Sequence, residues 1–174
     1  MRVEGNIREA GNITDFSVTK TGVYSRLPVS FNALFRNEGN VHVRPTGEVT
    51  VRNVLGGTSV VLSVNEALGA VLPSSERRFT TTWEKEPNRA TAGNFFQEVG
   101  AEWNNFAFGP YTATVNLKYG LSNDNVVTQT VRFVVIPWQL LLVILLAIIL
   151  VVLLTVWGVR RYNRWIIRRA EQKE

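Results

Sequence analysis

The stretch that decides the fold is "PVSFNALFRN", residues 28–37. Apolar and polar side chains alternate along it, and the apolar set falls on one face: Val29, Phe31, Ala33 and Phe35. A period of two is typical of a strand that buries one face and leaves the other in water. Because such a face needs a second layer to cover it, the stretch predicts a sheet packed against another element.

Six other segments between residues 13 and 136 show strand-like patterns, some with less regular alternation. They are "ITDFSVT" (13–19), "GEVTVRN" (47–53), "TSVVLSV" (58–64), "RRFTTTW" (77–83), "YTATVNLKY" (111–119) and "VVTQTVRFVVI" (126–136). About seven strands with one buried face predict two antiparallel sheets packed face to face. We therefore expect a mainly β protein, with an immunoglobulin-like (Ig-like) antiparallel β-sandwich. The chain has no cysteine, so the disulfide of antibody domains is absent.

Two local features refine this sandwich. Gly56 and Gly57 separate the second and third of these segments, and paired glycines favour a tight hairpin that pairs Val49 and Val51 with Val60, Leu62 and Val64. Tyr111 follows "FGP" and is a candidate for a tyrosine corner, in which the hydroxyl bonds to backbone a few residues upstream.

Residues 138–157 read "WQLLLVILLAIILVVLLTVW", and from Leu140 to Leu154 every residue is Leu, Val, Ile or Ala. Twenty helical residues rise about 30 Å, which matches the hydrocarbon thickness of a bilayer. Trp138 and Trp157 stand at the two ends, where indole rings favour the membrane interface. The predicted organisation is a sandwich over 1–136, one transmembrane helix over 137–158 and a basic tail over 159–174.

The charges predict an orientation. Residues 1–137 hold 13 Lys/Arg against 12 Asp/Glu, whereas residues 158–174 hold 6 against 2, beginning with Arg160 and Arg161. By the positive-inside rule the tail is cytoplasmic and the sandwich lies outside a cell membrane. Trp138, Trp157, Arg160 and Arg161 are the predicted anchors at the lipid interface. The near-even balance of the sandwich argues against nucleic acid as a partner.

The start of the chain conflicts with this orientation. "MRVEGNIREAGNI" has no apolar core of the kind that a signal peptide needs. A folded domain of this size does not easily cross a membrane without one. We expect either that the chain is a fragment whose natural start lies upstream, or that the start codon is misassigned.

The sequence predicts no enzymatic site, cofactor or metal. The only histidine, His42, lies in "NEGNVHVRPTGEV" (37–49) without a cysteine or a second histidine to share a metal. The glycines, asparagines and proline around it are typical of the passage from one strand to the next. Known nucleophile, phosphate-loop and metal-ligand spacings do not occur in the sequence.

One long irregular region, from Glu84 to Gly109, interrupts the strand pattern. It carries aromatic residues that are candidates for contact with a partner: Phe95, Phe96, Trp103 and Phe106. Aromatic side chains on a presented loop can anchor a protein partner. The alternative is that they cover the open end of the sandwich, with "NFFQEVGAEW" (94–103) as a short helix.

Four segments, in this order, carry a resemblance: "FRNEGNVHVRPTGEVTVRNVLG", "LSVNEALGAVLPSSERRFTTTW", "FAFGPYTATVNLKY" and "FVVIPW". Together they resemble the membrane-proximal part of the bacterial WxL-interacting proteins. The resemblance implies an Ig-like domain with a C-terminal anchor, associated with external protein partners. It also implies that a signal peptide and a first, peptidoglycan-associated domain precede "RVEGNIREAGNI", and it transfers no binding residue to this chain.

These observations predict a non-enzymatic, membrane-anchored surface protein. Its Ig-like domain would bind another surface protein or a cell-wall component. A second hypothesis is that the domain is a spacer of a larger peptidoglycan-associated protein and binds nothing itself. A third is that the basic tail contacts a cytosolic partner.

Overall fold

The computed structural model describes residues 6–20, 22–85, 94–122 and 124–171, with side chains up to Asn163. Residues 86–93 of the predicted irregular region lie outside the described residues, as do residues 1–5 and 172–174 at the two ends. The described part contains two sheets and two helices. Its strands are β1 (Gly11–Val18), β2 (Val23–Tyr24), β3 (Val29–Asn37), β4 (Thr46–Asn53), β5 (Thr58–Val64), β6 (Glu76–Trp83), β7 (Gly109–Tyr119) and β8 (Asn125–Val135), and its helices are α1 (Phe95–Asn104) and α2 (Trp138–Glu171).

The strands form an Ig-like sandwich, as the sequence predicts. One sheet has the order β1-β3-β6 and the other the order β2-β8-β7-β4-β5. All pairings are antiparallel except the short contact of β2 with β8. All seven predicted strands are present. The eighth, β2, has two residues, which is too short to leave a periodic pattern in the sequence.

Aromatic rings fill the space between the sheets. Phe31 of β3 lies edge-on to Phe133 of β8, with ring centroids 5.5 Å apart. Trp83 of β6 contacts Tyr111 of β7 in the same way, at 5.2 Å. The hydroxyl of Tyr111 accepts a hydrogen bond from the backbone N–H of Phe108 at 3.3 Å, which is the geometry of a tyrosine corner. These buried rings provide a core that needs no disulfide.

The predicted β4–β5 hairpin is present, with a connection over residues 54–57. Val49 lies opposite Leu62 and Val51 opposite Val60. The turn uses only one of the two glycines in a left-handed conformation, Gly56 with φ +80°. Such a φ suits glycine because it has no Cβ to collide with the backbone.

The segment around His42 is structural. Asn37 is fully buried, and its side-chain amide donates to the carbonyls of Val41 and Val71 at 2.8 and 2.9 Å. Its side-chain oxygen accepts from the N–H of Gly39 at 2.9 Å. Because buried backbone groups must be paired, Asn37 holds the end of β3 against the β5–β6 connection.

Strand register defines two ends of the sandwich. β8 ends at Val135, opposite Gly109, and α2 begins three residues later. We call this the helix end. The β7–β8 turn between Tyr119 and Asn125 lies at the other extremity, which we call the distal end. Helix α2 continues to Glu171, beyond the predicted end of the span at residue 158, so the described part of the tail is helical.

Candidate membrane-interface site at the junction of the two helices

Helix α2 is long and apolar enough to cross a membrane between Trp138 and Asn163. Its side chains are almost entirely exposed from Ile144 to Trp157, so the sandwich does not use this surface as core. Only the first two turns contact the rest of the chain, where Leu140 is buried and Val143 is half-buried. An apolar helix surface of this extent needs a nonaqueous environment.

The start of α2 is capped by a residue from another helix. The first N–H groups of a helix have no partner within it, and "VVIPW" offers no Ser, Thr, Asp or Asn to cap them. The Leu141 N–H bonds to the Pro137 carbonyl at 3.0 Å. The Leu140 N–H donates to Glu102 Oε2 of α1 at 2.7 Å. A carboxylate placed here also interacts favourably with the helix dipole.

Glu102 is fully buried, and its second oxygen, Oε1, has no hydrogen-bond partner among the described residues. Burial raises the pKa of the Glu102 carboxyl above its ordinary value, because the charged form loses hydration. Hydrogen bonds from the backbone of Leu140 and Gln139 and the positive charge of Arg26 oppose this rise without cancelling it. The junction therefore contains a carboxyl that keeps its proton to a higher pH than an exposed glutamic acid does.

Helix α1 begins at a capping box. The side chain of Asn94 accepts from the Gln97 N–H at 3.1 Å, and the Gln97 side chain accepts from the Asn94 N–H at 3.2 Å. Glu98 forms an ion pair with Arg26 in the β2–β3 connection, beside a cleft of about 420 Å³. Glu102 joins the other end of α1 to α2, so α1 is held at both ends.

The four predicted partner-contact aromatics lie on or just after α1, and all face outward. Phe95 and Phe106 are 39% and 44% exposed, and Trp103 and Phe96 are 67% and 79% exposed. The predicted short helix is confirmed. Contact with a partner and cover for the end of the sandwich both stay predictions for these rings. Two polar residues of this region, Glu102 and Asn105, are buried, and Glu102 bonds to the N–H of Leu140.

The predicted lipid anchors lie at both ends of the apolar stretch. Trp138 and Trp157 are 55% and 58% exposed. The guanidinium of Arg161 lies 5.5 Å from the ring centroid of Trp157, a cation–π contact that holds a positive charge beside the second tryptophan. Arg160 lies on the same turn of α2, and its side chain is exposed.

The structure brings no catalytic constellation together in the part of the chain that it describes. His42 is exposed on the far side of the molecule from α1. No group of three or more His, Cys, Asp or Glu residues within the described ranges is placed to hold a metal ion.

Sequence reasoning missed Glu102, and two signals could have found it. Glu102 lies one helical turn from Glu98 and Val99, on a stripe of the "NFFQEVGAEW" helix that does not include Phe96 or Trp103. The apolar stretch also begins without a capping residue of its own. A helix start that lacks a local cap needs a partner from elsewhere in the fold.

No protein-family model matches the sequence, and no curated protein matches it either. Solved structures do match. A cycloisomaltooligosaccharide glucanotransferase from Paenibacillus sp. superposes with a TM-score of 0.50 at 13% identity, over 74% of this chain and 14% of that protein. The chain thus spans only a small part of that enzyme.

Two domain-sized structures also match. The CARDB domain of a Pyrococcus furiosus protein, solved in complex with di-metal ions, has a TM-score of 0.40 at 14% identity, over 74% of this chain and 94% of that domain. The C-terminal domain of Wzt has a TM-score of 0.46 at 10% identity, over 77% and 79%. Identities this low show the fold alone. The class defined by fold and site is therefore an Ig-like β-sandwich joined directly to one apolar helix.

Proposed function

We propose that this protein is a single-span membrane protein whose helix α2 fixes an Ig-like domain at the outer surface of a cell membrane. The observation that carries the proposal is the exposed apolar surface of α2, which begins three residues after β8 ends. The tryptophans at its two ends and the arginines after the second one support the same orientation.

The domain acts by presentation and has no enzymatic role. It binds another surface protein or a cell-wall component, as the resemblance to the WxL-interacting proteins implies. The distal end points away from α2 and carries exposed leucines, among them Leu121 at 83% and Leu72 at 65%.

Site-specific photo-crosslinking in intact cells tests this role. A photoreactive amino acid replaces Leu72 or Leu121 at the distal end, and a matched variant carries it at Leu55 in the β4–β5 turn at the helix end, where the side chain is also exposed. We expect a discrete crosslinked protein or glycan from the distal positions only. A spacer that binds nothing would give no specific product from any of the three positions.

Membrane integration is tested separately. The full chain is expected to stay in the membrane fraction after alkaline extraction, whereas a chain that ends at Ile136 is expected to be released. Release of the full chain would contradict the anchoring role of α2.

A further inference from the structure

Helix α1 carries an outward face that no element of the described chain covers. This face consists of Phe96, Gly100 and Trp103, all exposed, and the ring of Phe95 contacts Phe96 at its edge. The two charged residues of α1, Glu98 and Glu102, both turn away from it. A helix face in water normally carries charged side chains, so an uncharged aromatic face indicates a less polar neighbour.

The position of α1 identifies that neighbour. Glu102 bonds to the N–H of Leu140, the first residue of the continuous apolar run. Trp103 follows Glu102 directly, and consecutive Cα atoms lie only about 3.8 Å apart. Trp103 therefore lies near the first turn of the span, and the Arg26–Glu98 ion pair holds the start of α1 next to β2, which pairs with the end of β8.

The composition of the face fits this position near the start of the span. Tryptophan and phenylalanine favour the boundary between headgroups and acyl chains, where short amphipathic helices lie in the plane of a membrane. The exposed aromatic side chains of the described sandwich region all belong to α1 or to the α1–β7 connection: Phe95, Phe96, Trp103, Phe106 and Phe108. The distal end exposes leucine and isoleucine but no aromatic ring among its described residues.

We propose that α1 is an interfacial helix that inserts Phe96 and Trp103 into the outer leaflet beside α2, and that its partner is phospholipid. The inference rests on the proposed function, because it requires α2 to span the bilayer. Its consequence is a sandwich that is held in one orientation by two contacts with the membrane, one through α2 and one through α1. The protein partner would then meet the distal end.

Spin labels on single cysteines test the proposal in the full chain, which has no native cysteine. The chain is reconstituted in bilayers of phosphatidylglycerol and phosphatidylethanolamine. Labels replace Gly100 on the aromatic face, Leu121 at the distal end and Ile148 in the middle of the span. A Cβ at Gly100 meets nothing within 4 Å, so Gly100→Cys leaves Phe96 and Trp103 in place. Collisions with oxygen, which concentrates in lipid, are compared with collisions with a water-soluble nickel complex.

The expected result is an oxygen-rich environment at Ile148, an intermediate one at Gly100 and an aqueous one at Leu121. Replacing Phe96 and Trp103 together by serine should shift the Gly100 label towards the aqueous value and leave the Ile148 label unchanged. Both rings are exposed, so these replacements remove little packing within the chain.

Three results would overturn the proposal. The first is a Gly100 label that is as aqueous as the Leu121 label while the Ile148 label stays in lipid. The second is a Gly100 label whose collision rates do not change when the two rings are lost. A label shielded from both reagents would show that protein, such as a second copy of this chain, covers the face. An aqueous Ile148 label is a different outcome, because it would refute the membrane span itself.

Discussion

Glu102 Oε2 accepts a hydrogen bond from the N–H of Leu140 at 2.7 Å, across 38 residues of sequence. This contact joins the one helix of the irregular region to the first turn of the apolar helix. It satisfies a backbone donor that Pro137 and the preceding strand residues cannot satisfy with their side chains. The sandwich and the candidate span are therefore connected by a second link besides the chain itself.

Removal of this cap should destabilise the junction. Glu102→Ala leaves the N–H of Leu140 without its partner, and we expect a loss of about 1–2 kcal/mol in the free energy of unfolding. Glu102→Gln keeps an accepting oxygen of the same reach and should recover most of this loss. Thermal unfolding of the full chain in lipid nanodiscs, followed by near-ultraviolet circular dichroism, measures both. Equal stability of the alanine variant and the parent would refute the capping role.

The same residue should make stability depend on pH. Burial raises the pKa of Glu102 in the folded state above its value in the unfolded chain. The folded state then binds the proton more tightly, so the contribution of Glu102 is complete below its ordinary pKa, about 4.3, and is lost as the pH rises through the raised value.

The parent should therefore lose stability relative to Glu102→Gln between about pH 4 and the raised pKa. Parallel denaturation curves of the two proteins across this range isolate the effect, since all other titrating groups are shared. A difference that stays constant with pH, or that grows in the opposite direction, would contradict the raised pKa.

Asn37 should be among the most sensitive polar positions of the sandwich. Asn37→Ala removes the bonds to Gly39, Val41 and Val71 and leaves buried backbone groups unpaired. We expect a loss of about 2–4 kcal/mol by chemical denaturation, from unsatisfied groups that cost roughly 1–3 kcal/mol each. The control is His42→Ala in the same segment, where an exposed side chain should matter by less than about 0.5 kcal/mol. Similar effects of the two variants would refute the structural role of Asn37.

Two glycine substitutions should act in opposite directions. A Cβ at Gly47 in β4 would lie 1.9 Å from the carbonyl oxygen of Asn116 in β7, and backbone there cannot yield without moving a strand. Gly47→Ala should therefore destabilise the sandwich by about 1–3 kcal/mol. Gly100→Ala meets open space in α1 and should be neutral or stabilising by up to about 1 kcal/mol. Melting temperatures of the two variants give the comparison, and a tolerant Gly47 would contradict the β4–β7 register.

Local periodicity was sufficient to predict the strands and the span. The alternation from Val29 to Phe35 specifies which face is buried, and the uninterrupted run after Gln139 specifies a helix in a nonaqueous environment. The Gly56–Gly57 pair predicted the hairpin because glycine tolerates the positive φ that tight turns need. These are interactions between near neighbours in the sequence, where pattern is informative.

The junction could not be predicted in the same way. Whether Glu102 faces water or another helix depends on where α1 lies relative to α2, which no local pattern of the sequence specifies. The outward orientation of Phe96 and Trp103 depends in the same way on where α1 lies relative to the rest of the fold.

The most direct test of the account is the sidedness of the chain in intact cells. Single cysteines are introduced at Leu121 in the sandwich and at Asn163 beyond the apolar stretch, and a membrane-impermeant maleimide is added before and after permeabilisation. The account predicts that the cysteine at 121 reacts in intact cells and that the one at 163 reacts only once the membrane is opened. Reaction at 163 but not at 121 in intact cells would reverse the topology and contradict the account.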